Sequence, residues 1–154
     1  FKNSNDPETT GLAGAINKRL WVETQNVSFL EEAIIAYKRG FILKRDYYNG
    51  ENLILCNLLM SEIQVKRSNL EAYYLIEANK VAHDVLQNVK DILITSFTDK
   101  RSDYKWILAT MAKLSFFLKE EYQSYEESFQ QLSDSWEIRT YRESKEQVSK
   151  FIEH

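Results

Sequence analysis

The scarcity of glycine and proline constrains the fold of this chain more than any other feature of its sequence. The 154 residues include four glycines and one proline, whereas average usage of about 7% and 5% would give about 11 and 8. Tight turns depend on these two residues, and β-sandwiches, β-barrels and loop-rich α/β enzymes need many such turns. The composition therefore predicts an all-α fold in which short connections join the helices.

Apolar residues recur at helical spacing along the chain, and capping residues precede many of these runs. Asp6-Pro7-Glu8 combines an N-cap, a proline at the first helical position and an acidic first turn. Three further segments, from Ser28, Ser68 and Ser124, have the pattern of capping boxes. Together these signals predict seven helices, at 7–23, 29–44, 47–63, 70–94, 104–118, 122–133 and 136–152, the fourth being long enough to contain a break.

The short connections predict antiparallel hairpins that pair helices 1 with 2, 3 with 4 and 5 with 6, with helix 7 as a cap. No low-complexity segment or Gly/Ser linker divides the chain, so we expect a single domain over residues 1–154. Because the sequence starts at Phe1 rather than Met, we expect that domain to be a fragment of a longer protein.

All four glycines, Gly11, Gly14, Gly40 and Gly50, fall inside helical patterns. A glycine in a helix costs about 1 kcal/mol relative to alanine, so we expect a neighbouring helix to pack closely at each one. The run from Glu32 to Phe41 is similar to the second helix of a tetratricopeptide hairpin, with Arg45 in the place of the usual closing proline. The sequence thus favours hairpins stacked as a tetratricopeptide-like α-α superhelix.

A more specific resemblance covers nearly the whole chain, although residues 61–103 carry almost none of it. The residues that carry it are Asp6–Thr9, Gly11-Leu12, Gly14, Lys18–Trp21, Ala33, Tyr37, Gly40-Phe41, Asp46–Gly50, Asn52-Leu53, Tyr104–Thr110, Trp136, Arg142–Ser144 and Glu146-Gln147. In these positions the chain resembles the tetratricopeptide-like domains of the TRAFs-binding family, known from apoptosis signal-regulating kinases and from bacterial proteins. The resemblance implies a regulatory helical-repeat region that contacts partner proteins and neighbouring effector or signalling domains.

Patterns of catalytic and metal-binding residues are weak. The only histidines are His83 and His154, and no HExxH or ExxH spacing occurs. Cys56 lies in a Leu/Ile run, where a free cysteine is usually a small buried hydrophobe, and we interpret His83 as a surface residue. Adjacent pairs such as Glu31-Glu32 diverge on a helix instead of facing one bond. We predict a non-enzymatic protein without cofactor or metal.

Charge and hydropathy restrict the partners and the compartment. The net charge is −3, whereas a domain that binds a nucleic-acid backbone usually has a basic surplus. The longest strongly apolar stretch, Asn52 to Ser61, is about half the length that a membrane span needs. The lone Cys56 cannot form an internal disulfide, which fits a reducing compartment. We predict a cytoplasmic protein that binds neither nucleic acid nor membrane.

The candidate partner-binding residues lie on the first and third helices. Helices in these positions line the concave groove of a tetratricopeptide stack, where Lys18, Arg19, Tyr48, Asn49 and Asn52 would hold a peptide backbone or carboxylate through charge-assisted hydrogen bonds. The alternative is that Lys18 and Arg19 are surface charges and that Asn49 stabilises the start of helix 3.

Two functions remain open at the level of sequence. One is a protein-interaction or regulatory module of a signalling protein, which binds a protein or peptide segment or an adjacent domain. The other is a structural spacer or oligomerisation domain that positions a neighbouring effector domain. In either case Trp21, Trp106 and Trp136 are interpreted as core residues, by the usual burial of tryptophan.

Overall fold

A computed structural model describes residues 6–95 and 97–152, and all regular secondary structure in that part of the chain is helical. The α-helices are α1 (Pro7–Thr24), α2 (Val27–Lys44), α3 (Tyr47–Ile63), α4 (Asn69–Leu93), α5 (Tyr104–Phe117), α6 (Gln123–Leu132) and α7 (Ser135–Ser149), and a short 3-10 helix spans Thr98–Lys100. The predicted all-α fold is confirmed. The predicted bounds agree closely, except that α7 ends at Ser149 and that α4 runs without a break.

Aspartate side chains cap three of the helices as N-caps do in general. Asp6 accepts a hydrogen bond from the N–H of Thr9 at 2.9 Å, and Asp46 accepts one from the N–H of Asn49 at 3.1 Å. Asp134 forms a complete capping box with Glu137 at the start of α7. These caps fix the starts of α1, α3 and α7.

Two of the predicted capping boxes are wrong. The N-cap of α2 is Asn26, whose side chain accepts from the N–H of Ser28 at 3.1 Å. Asparagine and serine are about equally good N-caps, and the earlier cap adds two residues to the helix. Near α6, the N–H of Ser124 donates to the carboxylate of Glu121 at 3.0 Å, so Ser124 is not the N-cap. At the third predicted box, Ser68 does accept from the N–H of Glu71, at 3.1 Å.

The link between α2 and α3 contains no proline. Arg45 adopts a left-handed conformation, with φ of 55°, and its N–H donates to the carbonyl of Phe41 at 2.6 Å. The next residue, Asp46, is already the N-cap of α3. Since a left-handed residue is a common helix ending, Arg45 ends α2 where a tetratricopeptide repeat usually has proline.

The helices form two compact units, and the boundary between the units falls inside α4, between Val85 and Leu86. The first unit holds α1 to α3 and most of α4, and the second holds the end of α4 with α5 to α7. The single domain over residues 1–154 stays a prediction.

In the first unit, α1 packs against α2 and α2 packs against α3. A Cβ atom on Gly14 would lie 2.8 Å from ring atoms of Tyr37, and one on Gly40 would lie 2.7 Å from the hydroxyl of Thr10. A Cβ atom on Gly50 would collide with Val85 of α4. The glycines therefore mark close helix contacts, as predicted, and Tyr37 fills the space between α1 and α2 with no exposed surface.

In the second unit, α5 forms a core with the two helices that follow it. Phe129 of α6 and Tyr141 of α7 pack together, with ring centroids 5.1 Å apart, and the ring of Trp106 lies 5.6 Å from that of Phe129. Trp136, by contrast, is 60% exposed. Its core interpretation is wrong, because it lies roughly 140° around α7 from Tyr141, which faces the core.

Candidate partner-binding face

Three of the five predicted binding residues, Lys18, Tyr48 and Asn52, meet on one surface of the first unit. We call this surface, together with the exposed Arg19 that follows Lys18 on α1, the α1–α3 face. The ammonium of Lys18 donates to the side-chain oxygen of Asn52 at 2.7 Å, which bridges α1 and α3. The amide nitrogen of Asn52 in turn donates to the carbonyl of Tyr48 at 2.9 Å. The structure thus brings Lys18, Tyr48 and Asn52 into one hydrogen-bonded group.

The side chains of the α1–α3 face differ in exposure. Arg19 is exposed, and Tyr48 exposes 49% of its surface. Lys18 and Asn52 are half-buried, since the Lys18 stem leans across α1 toward α3. Long basic side chains often bury the stem in this way and keep the charged end accessible. The face therefore offers one exposed cation, one hydrogen-bonded cation and an aromatic ring.

The side chains of Tyr37 and Cys56, which lie below the face, are neutral at pH 7. The ammonium of Lys18 lies 6.0 Å from the ring centroid of Tyr37, at the edge of cation–π range. Burial, followed by the proximity of Tyr48 and Cys56, raises the pKa of Tyr37. Burial raises the pKa of Cys56 to about 12, against the opposing effect of the Lys18 charge. Cys56 is fully buried, as predicted, and is a thiol rather than a nucleophilic thiolate.

The fifth predicted residue, Asn49, lies inside the helix packing and is 2% exposed. Its amide nitrogen donates to the carboxylate of Asp46 at 2.9 Å and to the carbonyl of Pro7 at 3.4 Å. It also fills the space beside Gly11 and Gly40. This placement supports the alternative interpretation, in which Asn49 stabilises the start of α3, and leaves it outside the accessible binding surface.

A groove on the first unit is not predicted by the sequence patterns. We call it the α2–α4 groove; it has a volume of about 530 Å³ and is lined by Ile34, Ile35 and Ile42 of α2, Leu53 of α3, and Tyr73 and Tyr74 of α4, together with flanking charged residues. The available signal was Ile35 and Ile42, which lie outside the apolar stripe that buries α2. Their exposure alone does not predict a groove, because a groove depends on the distance between two helices, which no single helix pattern contains.

The described residues give no sign of a metal site or a membrane span. Within 6–95 and 97–152, no three His, Cys, Asp or Glu side chains form a cluster that would hold a metal ion. Over the same residues, no helix has the length and apolarity needed to cross a membrane. His83 is exposed on α4, in agreement with its interpretation as a surface residue.

Comparison with known proteins supports the helical repeat. Residues 2–57 match the family model described as TPR-S, Tetratricopeptide Repeats-Sensor. The match covers α1, α2 and the first part of α3, and it includes every predicted binding residue. It supports a tetratricopeptide-like domain, whereas it does not confirm the TRAFs-binding family. No curated protein and no solved structure matches the chain.

Proposed function

We propose that the chain is a protein-interaction and regulatory module of a signalling protein, and that a partner segment binds to the α1–α3 face. Tetratricopeptide-like repeats generally mediate protein–protein interaction and are typically non-catalytic. The observation that carries the proposal is the hydrogen bond between Lys18 and Asn52, because it places a cation and an amide together on an accessible surface between two repeat helices.

The chemistry of the face favours a partner segment that carries a carboxylate. Arg19 presents a planar guanidinium that binds carboxylates in bidentate fashion, and the Lys18 ammonium lies one residue away on α1. Tyr48 adds aromatic area with a hydroxyl, a combination that is common in protein interfaces. Charge-assisted hydrogen bonds are about twice as strong as neutral ones, so the two cations are the principal anchors of the bound segment.

A regulatory role in the cytoplasm extends this proposal. The matching family model carries the description of a sensor, and the sequence resembles the TRAFs-binding domains of signalling kinases. Binding at the α1–α3 face would then control a neighbouring effector domain. The partner is either a separate protein or an adjacent domain of the same protein.

Affinity capture from a lysate of the source cells tests the proposal. The chain is immobilised as wild type, as the double variant Arg19→Ala/Asn52→Ala, and as the control Arg139→Ala, which removes an exposed arginine of α7. We expect wild type and control to retain a protein that the double variant loses while its circular dichroism is unchanged. Equal retention by all three contradicts the site. Retention by none, with a mass that rises with concentration in light scattering, favours the spacer or oligomerisation role.

A further inference from the structure

The walls of the α2–α4 groove are two helices that run in the same direction. Glu31, near the start of α2, and Tyr74, near the start of α4, line the groove together; burial, and then the charge of Glu31, raises the pKa of Tyr74. At the other end, the guanidinium of Arg45 lies 3.8 Å from the carboxylate of Asp84. The distance along α2 from Glu31 to Arg45 is about 21 Å at 1.5 Å per residue, enough for about four turns of a bound helix.

The walls of the groove are apolar and accessible. Ile35 and Ile42, two turns apart on α2, are 55% and 64% exposed, and Tyr73 on α4 is 49% exposed. Phe41 and Leu53 close the floor and are almost completely buried. Contiguous exposed apolar surface of this kind marks interaction sites in soluble proteins.

Charges around the groove are segregated along its length. Glu31 and Glu77 flank the end at which α2 begins, and Lys38 and Lys80 follow further along the walls. At the far end, Arg45 is paired with Asp84. Lys38 lies midway between Glu31 and Arg45 on α2, so the groove is negative at its start, positive at its middle and closed by an ion pair at its far end.

We propose that the α2–α4 groove binds one amphipathic α-helix of a partner protein, oriented parallel to α2, with basic residues in its first turns and acidic residues in its middle turns. The apolar walls accept residues at i, i+3, i+4 and i+7, as in other helix-in-groove complexes. The positive end of the helix dipole lies against Glu31 and Glu77, and Lys38 and Lys80 face the acidic residues of the middle turns.

An extended segment fits the groove less well than a helix. The backbone groups of α2 and α4 are already bonded within their own helices, so the walls offer no sheet edge. A strand laid on them would bury unpaired backbone groups, which is costly. A helix satisfies its own backbone and fills the groove with side chains.

The test is a selection with helices of defined geometry. A displayed library of stable three-helix scaffolds, each with one randomised surface helix, is selected on the full chain and counter-selected on Ile42→Glu. We expect enriched helices with an apolar stripe, Lys or Arg in the first turns and Asp or Glu in the middle turns. Enrichment of the opposite charge order overturns the orientation, and failure to enrich any helix overturns the proposal.

Matched substitutions then locate the binding. A selected scaffold, labelled with a fluorophore, is titrated with wild type, Ile42→Glu and Ile76→Glu by fluorescence anisotropy. Ile42 and Ile76 are 64% and 65% exposed, but only Ile42 lines the groove. We expect Ile42→Glu to weaken binding at least tenfold and Ile76→Glu to change it less than twofold. Equal effects of the two variants overturn the site. If wild type binds 1-anilinonaphthalene-8-sulfonate but no selected helix, the groove is a small-molecule pocket, and this outcome also overturns the proposal.

Discussion

Replacing Gly14 with alanine tests the close contact between α1 and α2 on which the first unit is built. The new methyl group would lie 2.8 Å from three ring atoms of Tyr37, which has no exposed surface. Overpacking a well-packed core costs about 1–3 kcal/mol, while alanine returns about 1 kcal/mol of helix propensity. Because a buried ring has little room to move, the upper part of the range applies, and we expect a net loss of about 1–2 kcal/mol in the free energy of unfolding.

Gly11→Ala is the matched control, since it lies one turn away in the same helix and gains the same propensity. Its methyl group would lie 3.1 Å from Asn49 and 3.2 Å from the half-exposed ring of Tyr48, which has room to shift. We expect its stability to stay within about 0.5 kcal/mol of wild type. Urea unfolding followed by far-ultraviolet circular dichroism measures both variants. A Gly14→Ala protein as stable as Gly11→Ala would refute the reasoning.

Two further predictions concern a carboxylate and a thiol. Burial alone raises the pKa of Glu126, but hydrogen bonds from Lys145 and Tyr141, both at 2.7 Å, lower it overall. The ionised carboxylate therefore stabilises the fold at pH values above its unfolded pKa of about 4.5. That stabilisation is lost as the pH falls through the lower pKa of the folded state. In urea unfolding, we expect Glu126→Gln to lower the free energy of unfolding by about 1 kcal/mol at pH 7 and by less at pH 3. The control Glu127→Gln, at an exposed position, should change it little at either pH. Equal losses of stability in the two variants would contradict the role of Glu126. The Cys56 thiol, with a pKa of about 12, should react with Ellman's reagent at pH 8 only in denaturant. Rapid reaction in the folded protein would contradict this prediction, because it would show that α3 unfolds locally around Cys56.

Local signals in the sequence predict most of the helices. The proline and aspartate at the start of α1 act through neighbouring residues, so their pattern corresponds directly to the observed cap. The glycines also predict helix packing. Glycine is unfavourable inside a helix, and the close contacts at Gly14 and Gly40 explain why it occurs there. Competing caps of similar strength, such as Asn26 and Ser28, are harder to rank without the flanking structure.

The candidate site is less predictable because it depends on contacts between helices. Asn49 and Asn52 are three residues apart, and the sequence treats them as equivalent. Asn49 is buried since Gly11 and Gly40 leave space for its amide, whereas Asn52 meets Lys18 at the surface. Trp136 shows the reverse error, because residue type predicts burial but its position on α7 leaves it exposed.

Site-specific photo-crosslinking tests most directly the claim that the α1–α3 face binds a partner. A benzoylphenylalanine replaces Tyr48, which is 49% exposed on that face, or Val65, which is 79% exposed after the end of α3. Each variant of the full chain is irradiated in the source-cell lysate. We expect a discrete covalent adduct from position 48 that is lost when Arg19 is replaced by alanine, and no adduct from position 65. Adducts of equal yield from both positions, or from position 65 alone, would contradict it.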